Sequence, residues 1–330
     1  MVLQFGVIGT GWITDDWIND AHATGSWKLT AVYSRKEDAA REYAAKHGAT
    51  STFTSIGALA SHSSVQAIYV ASPNALHYEQ AKVILAHKKH VILEKPATTT
   101  VAEFEDLCSL ARANGVYLFE AYRHIQESNF KVLKKNLPQL GTIYGAQLTY
   151  ASYSSRYNNV LDGEVPNVFN LEFGGGSLVD IGVYPVTFAV ALFGRPKSST
   201  YHPFKIPSGA DAGGFIVLQY DNFAVSINAS KCWQSSSPTE IYGENGTVTV
   251  NGTMNIEKLS WYHPRTKETK EWAGPREPMK LKEEAAEFAR IITNDDKAAS
   301  RELEELSRNV LQVTNELRRQ NGIIYPADKV

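Results

Sequence analysis

The chain has 330 residues, 43% of them hydrophobic and 21% charged, and this length corresponds as a rough prior to two domains of about 150 residues. Lys and Arg (33) nearly balance Asp and Glu (35), so the sequence lacks the basic excess typical of nucleic-acid-binding proteins. There is no apolar run of the ~18 residues that a membrane span needs, no signal-peptide pattern, and no cysteine set for a disulfide framework, so we expect a cytoplasmic protein.

The first third of the chain alternates short apolar strands with amphipathic helices. The predicted strands are Leu3–Ile8, Leu29–Tyr33, Ala67–Val70, His90–Leu93 and Tyr117–Glu120. One predicted helix, 101–114, begins with a capping-box pattern at Thr100 and Glu103 and ends before Gly115. Apolar strands separated by crossover helices indicate a parallel sheet that is covered on both faces. We therefore predict a doubly wound α/β domain over residues 1–121.

A different pattern begins after residue 121. A helix is predicted at 128–136, followed by a long alternating strand at 142–153 and an apolar helix that ends near Phe193. Further strands are predicted at 215–220, 223–229, 239–242, 247–250 and 256–262, with hairpin turn signals among them. The tail holds two amphipathic helices. We predict an α+β domain with a large, mostly antiparallel sheet over residues 122–330, whose C-terminal helices can pack back on the first domain.

The loop after the first strand carries a glycine pattern that is typical of dinucleotide-binding sites. Gly9 allows a tight turn, and Gly11 allows the backbone to approach a pyrophosphate on the first N–H groups of the next helix. The third position of the pattern is Thr14 rather than Gly or Ala, and two glycines at such a place are often only a turn. Because further βα units follow, we predict a Rossmann domain. The predicted contacts are Gly9, Thr10, Gly11, Trp12 and Ile13.

The end of the second strand indicates which dinucleotide binds. An NAD site places Asp or Glu there for the ribose 2′-hydroxyl, whereas the 2′-phosphate of NADP needs donors and cations. The segment reads Ser34-Arg35-Lys36, in which Ser34 can donate and Arg35 offers a fork of donors. The alternative is that Ser34 caps the next helix while Arg35 and Lys36 are only solvated. We predict that these three residues bind NADP in preference to NAD.

Asp180 and Tyr184 also stand out. They are four residues apart on a predicted helix and therefore share a face. Apolar neighbours indicate that Asp180 is half-buried, and a buried carboxylate needs a partner or a function. Pro185 predicts that this helix bends or begins irregularly. The alternative is a structural Asp beside a core Tyr.

Three stretches carry a family resemblance: the glycine loop, the segment 71–96 with its Glu-Lys-Pro triplet, and the segment 174–185. Together they closely resemble the glucose-fructose oxidoreductase / inositol dehydrogenase / rhizopine catabolism (Gfo/Idh/MocA) family, over residues 5 to about 250. Tyr184 stands where the inositol dehydrogenase branch usually carries His. The sequence is therefore most similar to the NADP-dependent branch that contains dimeric dihydrodiol dehydrogenase and D-xylose dehydrogenase.

This resemblance implies roles at the matched positions. The residues implied to lie along the nicotinamide half of the cofactor are Ser72, Pro73, Asn74 and His77. Glu94 would hold the nicotinamide ribose. Lys95 would reach the ribose and the reacting oxygen of the substrate, and its bond to Pro96 is often cis in relatives. The segment 120–124 matches poorly, so the resemblance leaves open whether Arg123, His124 or Arg156 lines the pocket.

The predicted reaction is reversible hydride transfer between a nicotinamide and a CH–OH or C=O carbon of a sugar, cyclic polyol or vicinal diol. Tyr184 would be the general acid/base, with Lys95 as the cation that lowers its pKa from about 10, and Asp180 would bind neighbouring substrate hydroxyls. One alternative is a regulator on the same fold that senses NADP without turnover. Another is an enzyme that uses a tightly held NAD transiently.

The sequence also leads to expectations about metals, assembly and other binding partners. The nine histidines show no metal-ligand spacing, so no metal is expected. One face of the second sheet needs cover, with Tyr150, Phe215 and Val217 among its candidate residues, and relatives associate through that face. We therefore expect a homodimer or homotetramer, with a small-molecule substrate and no nucleic-acid or membrane partner.

Overall fold

The computed structural model describes residues 2–329, which form two compact units. The first unit comprises residues 2–123 and 278–308, and the second comprises residues 124–277 and 309–329. Residues 278–308 thus belong with the first unit, whereas the predicted second domain ran without interruption from 122 to 330. The division near residue 308 falls inside one long helix.

A six-stranded parallel sheet forms the centre of the first unit. Its strands are β1 (Leu3–Ile8), β2 (Trp27–Tyr33), β3 (Ser51–Phe53), β4 (Ala67–Val70), β5 (His90–Glu94) and β6 (Leu118–Ala121). The order β3-β2-β1-β4-β5-β6 changes direction between β1 and β4, and sheets of this order bind ligands outside the carboxyl ends of the strands at that point. The sequence did not predict β3, because three edge residues carry no recognisable alternation.

Helices cover both faces of this sheet, as predicted for a doubly wound domain. They are α1 (Trp12–Ala23), α2 (Glu37–His47), α3 (Ile56–Ser61), α4 (His77–Ala86) and α5 (Val101–Asn114). Residues of α1, α2 and the later segment Lys282–Asn294 share one apolar core with the sheet, whereas Leu59 of α3 lies over Gly6 on the opposite face. The capping box predicted at Thr100 and Glu103 is confirmed, and Gly115 ends α5 in the left-handed conformation.

The second unit is built on an eight-stranded sheet, which confirms the predicted α+β class. Its strands are β7 (Ile143–Ala151), β8 (Ser198–Lys205), β9 (Asp211–Gln219), β10 (Ala224–Ser230), β11 (Thr239–Gly243), β12 (Gly246–Val250), β13 (Leu259–His263) and β14 (Glu268–Glu271). The order is β14-β13-β12-β11-β7-β10-β9-β8. Every neighbouring pair is antiparallel except β7 with β10. The two edge strands, β8 and β14, were not predicted.

The remaining helices are α6 (Arg123–Gln126), α7 (Ser128–Asn136), α8 (Ser155–Leu161), α9 (Val183–Phe193), α10 (Lys282–Asn294) and α11 (Lys297–Gln320). Short 3-10 turns lie at Asn74–Leu76, Leu137–Leu140, Asn167–Phe169, Leu171–Phe173 and Pro326–Lys329. In the second unit, α9 packs on the face of the sheet formed by β7 and β10. The sheet thereby supports the helix that carries the predicted substrate-binding residues.

The start of α9 is irregular, as Pro185 predicted. A π-helical turn, Leu178–Gly182, contains Asp180 and precedes the first turn of α9, which contains Tyr184. By length and composition, the segment Leu171–Phe193 could cross a membrane, which corrects the expectation that no apolar run is long enough. Most of its residues are buried inside the protein. A helix in the core of a folded domain can have the same length and apolar composition.

Candidate active site

The loop between β1 and α1 has the shape that a pyrophosphate requires. Gly9 has a φ of +107°, and a Cβ there would lie 2.6 Å from the carbonyl oxygen of Ala71. Gly11 is the N-cap of α1, no side chain caps the helix there, and a Cβ at Gly11 would meet no atom within 4 Å. The first N–H groups of a helix have no intrahelical acceptors. Open space at a helix start with such donors fits the diphosphate of a dinucleotide.

The residues after β2 leave their charges exposed. The hydroxyl of Ser34 accepts the backbone N–H of Lys36 at 3.4 Å, and the N-cap of α2 is Lys36 itself, so Ser34 does not cap this helix. Arg35 and Lys36 are exposed, and no carboxylate among the described residues forms a salt bridge with either. Two cations with exposed charges beside a hydroxyl fit a phosphate at the end of β2.

The loops after β4 and β5 are tied together by His77. This side chain is fully buried; its Nε2 lies 2.8 Å from the carbonyl oxygen of Ser72, and its Nδ1 lies 3.0 Å from that of Pro96. Burial lowers the pKa of His77 below its usual value. The ring therefore positions the two loops that contain the predicted cofactor residues. The Lys95–Pro96 bond, in the loop after β5, is cis. A direct contact of His77 with the cofactor stays a prediction.

Glu94 is held by a tyrosine that the sequence analysis did not single out. The hydroxyl of Tyr69 donates to Oε1 of Glu94 at 2.6 Å, and the N–H of Lys95 donates to Oε2 at 3.3 Å. The ring of Tyr69 is itself stacked on Trp17 with centroids 4.5 Å apart. Burial raises the pKa of Glu94, while the hydrogen bond from Tyr69 and the charge of Lys95 oppose that rise. The carboxyl is therefore fixed in orientation at the carboxyl end of β5.

Two further acids and one arginine lie close enough to Glu94 to affect its surroundings. Glu120 accepts the N–H of Ala97 at 2.7 Å, and burial raises the pKa of Glu120 to about 7. Glu284 of α10 is fully buried, and neither of its oxygens has a hydrogen-bond partner among the described residues. Burial raises the pKa of Glu284 well above its usual value; the charge of Glu94 adds to this rise and that of Arg123 opposes it.

In the second unit, Tyr184 is flanked by two aromatic rings. The ring of His124 lies 4.9 Å from that of Tyr184, and the ring of Tyr150 lies 5.5 Å away at an interplanar angle of 84°. His124 is fully buried and Tyr184 is half-buried. His124, whose role the sequence left open, thus contacts the proposed acid/base, whereas Arg156 is exposed on α8.

The position of Tyr150 corrects the expectation that it belongs to the uncovered face of the sheet. Tyr150 pairs with Ala229 across the parallel β7–β10 contact, on the face that packs against α9. Phe215 and Val217 do lie on the other face and are 55% and 36% exposed.

Asp180 has a buried basic partner that the sequence analysis missed. Nζ of Lys231, the residue directly after β10, forms a salt bridge with Oδ2 of Asp180. Lys231 is only 9% exposed. A charge buried to this extent is costly unless it is paired, so the pair holds the carboxylate of Asp180 in a defined place. The only sequence signal is a single Lys that follows an uncharged strand.

A second acid, Asp211, anchors the start of the helix that carries Asp180 and Tyr184. Its Oδ2 accepts the N–H of Leu178 at 2.6 Å and the hydroxyl of Tyr201 at 2.7 Å. Gly176 has a φ of +142°, and a Cβ there would lie 2.3 Å from Oδ1 of Asp211. Burial raises the pKa of Asp211, and these two hydrogen bonds oppose the rise. The glycine-rich entry is therefore shaped by a close approach to this carboxylate.

Comparisons with known proteins assign the chain to a family. A family profile described as "Oxidoreductase family, NAD-binding Rossmann fold" matches residues 3–122, and "GFO/IDH/MocA C-terminal domain" matches residues 138–249. The chain belongs to the Gfo/Idh/MocA family. The resemblance stated from the sequence is thereby confirmed.

Individual relatives and one solved structure extend the comparison. The chain is 39% identical over 328 residues to scyllo-inositol 2-dehydrogenase (NADP(+)) IolU of Bacillus subtilis, covering 99% of this chain and 100% of that protein. It is 27% identical over 257 residues to human trans-1,2-dihydrobenzene-1,2-diol dehydrogenase, covering 75% and 74%. The 3-ketoreductase KijD10 of Actinomadura kijaniata, solved with NADP and TDP-benzene, shares the fold with a TM-score of 0.83 at 22% identity, covering 97% and 98%.

As a member of this family, the protein is an NAD(P)-dependent oxidoreductase. The geometry of the β1–α1 loop fits the dinucleotide, as described above. Within residues 2–329, no group of three or more His, Cys, Asp or Glu side chains is placed to hold a metal ion.

Replacing Gly176 by Ala tests the anchor at Asp211. The added Cβ would collide with Oδ1 of Asp211, so we expect the start of the helix to shift and kcat to fall by about 10- to 100-fold, because misplacement by about 1 Å costs up to 10²-fold. Binding of NADPH, followed by its fluorescence, should be retained. The control is Gly163→Ala, which has a φ of +85° but open space around it. Equal effects of the two substitutions would contradict the anchoring role.

Proposed function

We propose that the protein is an NADP-preferring dehydrogenase or reductase that acts on a CH–OH carbon of a cyclic polyol, sugar or vicinal diol. The observation that carries this proposal is the arrangement in the second unit. There a carboxylate, Asp180, is held by the buried Lys231, and the phenol of Tyr184 in the next helical turn is flanked by two aromatic rings. A relative with 39% identity is named as an NADP(+)-dependent dehydrogenase of scyllo-inositol, which supports the substrate class.

In the proposed mechanism, a nicotinamide held by the residues of the first unit would supply the hydride chemistry at the substrate carbon in either direction. Tyr184 takes the hydroxyl proton during oxidation and returns it during reduction. Lys95 stabilises negative charge on the reacting oxygen and on the phenolate. Asp180, oriented by Lys231, accepts hydrogen bonds from neighbouring substrate hydroxyls and thereby selects the carbon that reacts. Glu94, oriented by Tyr69, holds the nicotinamide ribose, with Ser72, Pro73 and Asn74 beside it.

Absorbance of the reduced nicotinamide tests this function directly. The wild-type protein should turn over with NADP+ on at least one member of a panel of inositols, aldoses and vicinal diols. Tyr184→Phe should lower kcat by about 10²- to 10⁴-fold, the usual size of acid–base catalysis, and leave NADPH binding unchanged. Full activity in that variant would remove Tyr184 from the mechanism. Tight NADPH binding without turnover on any substrate would favour a sensing protein instead.

The proposed preference for NADP rests on the residues after β2. Arg35→Ala should raise KM for NADP+ by about 10- to 100-fold, because a hydrogen bond to a charged group contributes about 1.5–3 kcal/mol. KM for NAD+, which lacks the 2′-phosphate, should change less than about twofold. Arg41→Ala is the matched control, since Arg41 is an exposed arginine of α2 paired with Glu37. Equal changes with both cofactors in the Arg35 variant would contradict recognition of the phosphate.

We also propose that the uncovered face of the second sheet associates two or four copies of the chain. Phe215 and Val217 of β9 and Phe204 of β8 are exposed on this face, and Phe215 stacks on Trp233. Light scattering at micromolar concentration should give the mass of a dimer or tetramer, and Val217→Lys should reduce it to that of one chain. A monomeric wild-type protein would overturn this proposal. The proposed compartment is the cytoplasm, where the two free cysteines would stay reduced.

A further inference from the structure

The helical segment 178–193, which carries the carboxylate and the phenol of the proposed site, is held beyond each end by a tyrosine. At the far end the hydroxyl of Tyr220 donates to the carbonyl oxygen of Gly194, the C-cap of α9, at 3.1 Å. Before the start the hydroxyl of Tyr325 donates to the carbonyl oxygen of Gly175 at 3.0 Å. These two glycines are 26 and 150 positions from their tyrosines. No role assigned above uses either hydroxyl.

The chain turns back after α11 and brings Tyr325 into the interior. Gly322 has a φ of +65°, and the N–H of Ile323 donates to the carbonyl oxygen of Arg318 at 3.1 Å. Tyr325 is 3% exposed. Burial raises the pKa of Tyr325 above its usual value near 10, although the charge of Arg318 opposes the rise. The hydroxyl is therefore protonated at neutral pH and able to donate.

A buried ion pair fixes the position of the Tyr325 ring. The guanidinium carbon of Arg318 lies 4.0 Å from the centre of this ring, which is the geometry of a cation–π contact. Arg318 is 1% exposed, forms a salt bridge with Asp328 and donates to the carbonyl oxygen of Ile323 at 2.7 Å. Asp328 also accepts the backbone N–H of Tyr325 at 2.7 Å. Contacts to the ring and to the backbone thus leave the hydroxyl little freedom to move.

The carbonyl group that receives this hydroxyl belongs to the glycine-rich entry of the helix. The N–H of Gly175 donates to the carbonyl oxygen of Asn170 at 2.9 Å, and that of Gly176 donates to Val168 at 2.8 Å. The hydroxyl of Tyr325 lies 3.9 Å from the place that a Cβ of Gly176 would take. The glycine pair is therefore held through its N–H groups by a preceding turn and through a carbonyl group by Tyr325.

The entry is connected directly to the proposed substrate-binding carboxylate. The N–H of Asp180 donates to the carbonyl oxygen of Gly176 at 3.1 Å, so a movement of the entry is passed to Asp180. Asp211 accepts the N–H of Leu178, on the helix side of the glycines. Tyr325 binds on the other side of them. Two attachments determine the direction of the first turn, whereas one alone would determine only the position of a point.

We infer that Tyr325 is a positioning residue for the reaction. Its hydroxyl, which Arg318 and Asp328 hold in place, fixes the start of the helix. The fixed start in turn sets the direction in which Asp180 and Tyr184 face a substrate. The inference rests on the proposed function and deepens it, because it makes a segment at the other end of the chain a part of the same site.

The substitution Tyr325→Phe tests this role in the full-length protein. It removes the hydroxyl and keeps a ring against Arg318, so the variant should fold. With NADP+ and the substrate that the panel identifies, kcat should fall by about 5- to 100-fold, because a misplacement of about 1 Å can cost up to 10²-fold. The Kd for NADPH, measured by fluorescence titration, should change by less than about twofold, since the first unit is untouched.

Tyr220→Phe is the matched control. It removes the same kind of bond, from a tyrosine hydroxyl to a glycine carbonyl oxygen, at the opposite end of the same helical segment. Tyr220 is 6% exposed and is thus also buried. We expect kcat to change by less than about twofold in this variant, because the proposed site lies at the start of the helix. Equal losses of kcat in Tyr325→Phe and Tyr220→Phe would overturn the inference.

Hydrogen exchange tests the same attachment without turnover. The backbone N–H groups of residues 178–182 should exchange at least about tenfold faster in Tyr325→Phe, since exchange follows local opening, while those of residues 190–194 should not change. Tyr220→Phe should show the reverse pattern. Unchanged exchange at 178–182, or a kcat within about twofold of the wild type, in Tyr325→Phe would overturn the positioning role.

A second variant and a separate outcome complete the test. Asp328→Asn loses the charge that is paired with Arg318 and should give the same pattern as Tyr325→Phe. Thermal unfolding shows whether each variant is folded, and Asp328→Asn is judged by the same criteria if Tyr325→Phe is not. Faster exchange at 178–182 in a protein whose wild type turns over no substrate of the panel would uphold the attachment and overturn the proposed reaction.

Discussion

The helix that carries Asp180 and Tyr184 depends on one buried carboxylate, that of Asp211. Asp211 binds the N–H of Leu178, and its other oxygen lies where any side chain at residue 176 would stand. The close contact of Asp211 with Gly176 and Leu178 sets the position at which the π-helical turn begins. It thereby also sets the positions of Asp180 and Tyr184 further along the same helix. Burying an acid without compensation is costly, so hydrogen bonds from Leu178 and Tyr201 are needed to retain it there.

Buried acids also need compensating interactions in the first unit, where several of them lie near the carboxyl ends of the parallel strands. Glu94 and Glu120 end neighbouring strands, and Glu284 reaches this region from α10. Each negative charge in such a place raises the pKa of the neighbouring carboxyls. Burial and the charge of Glu94 both raise the pKa of Glu284, whereas the hydrogen bond from Tyr69 favours the ionised form of Glu94.

The two units differ in the kind of polar group that they present, and this difference follows from their architecture. A parallel sheet presents loops and helix starts at one edge, where backbone N–H groups suit phosphates. The second sheet instead supports a helix whose side chains carry the carboxylate and the phenol, with Lys231 and two aromatic rings around them.

Local signals in the sequence determined much of this protein, namely the apolar strands β1, β4 and β5, the capping box at Thr100, the glycine turn at Gly9 and the irregular helix before Pro185. Each of these depends on residues within a few positions of one another, and so does the triplet Glu94-Lys95-Pro96 that carries the family resemblance. Long-range packing decided the rest. Residues 278–308 join the first unit, and the partners Asp211–Leu178 and Lys231–Asp180 are 33 and 51 positions apart.

The face on which Tyr150 lies shows why such features escape the sequence. Both faces of β7 carry apolar residues, so alternation alone does not say which face meets α9. The parallel register with β10 makes that choice by placing Tyr150 opposite Ala229. The type of each element follows from local backbone and side-chain preferences, whereas the neighbours of a side chain follow from strand register and helix packing, which only the folded chain specifies.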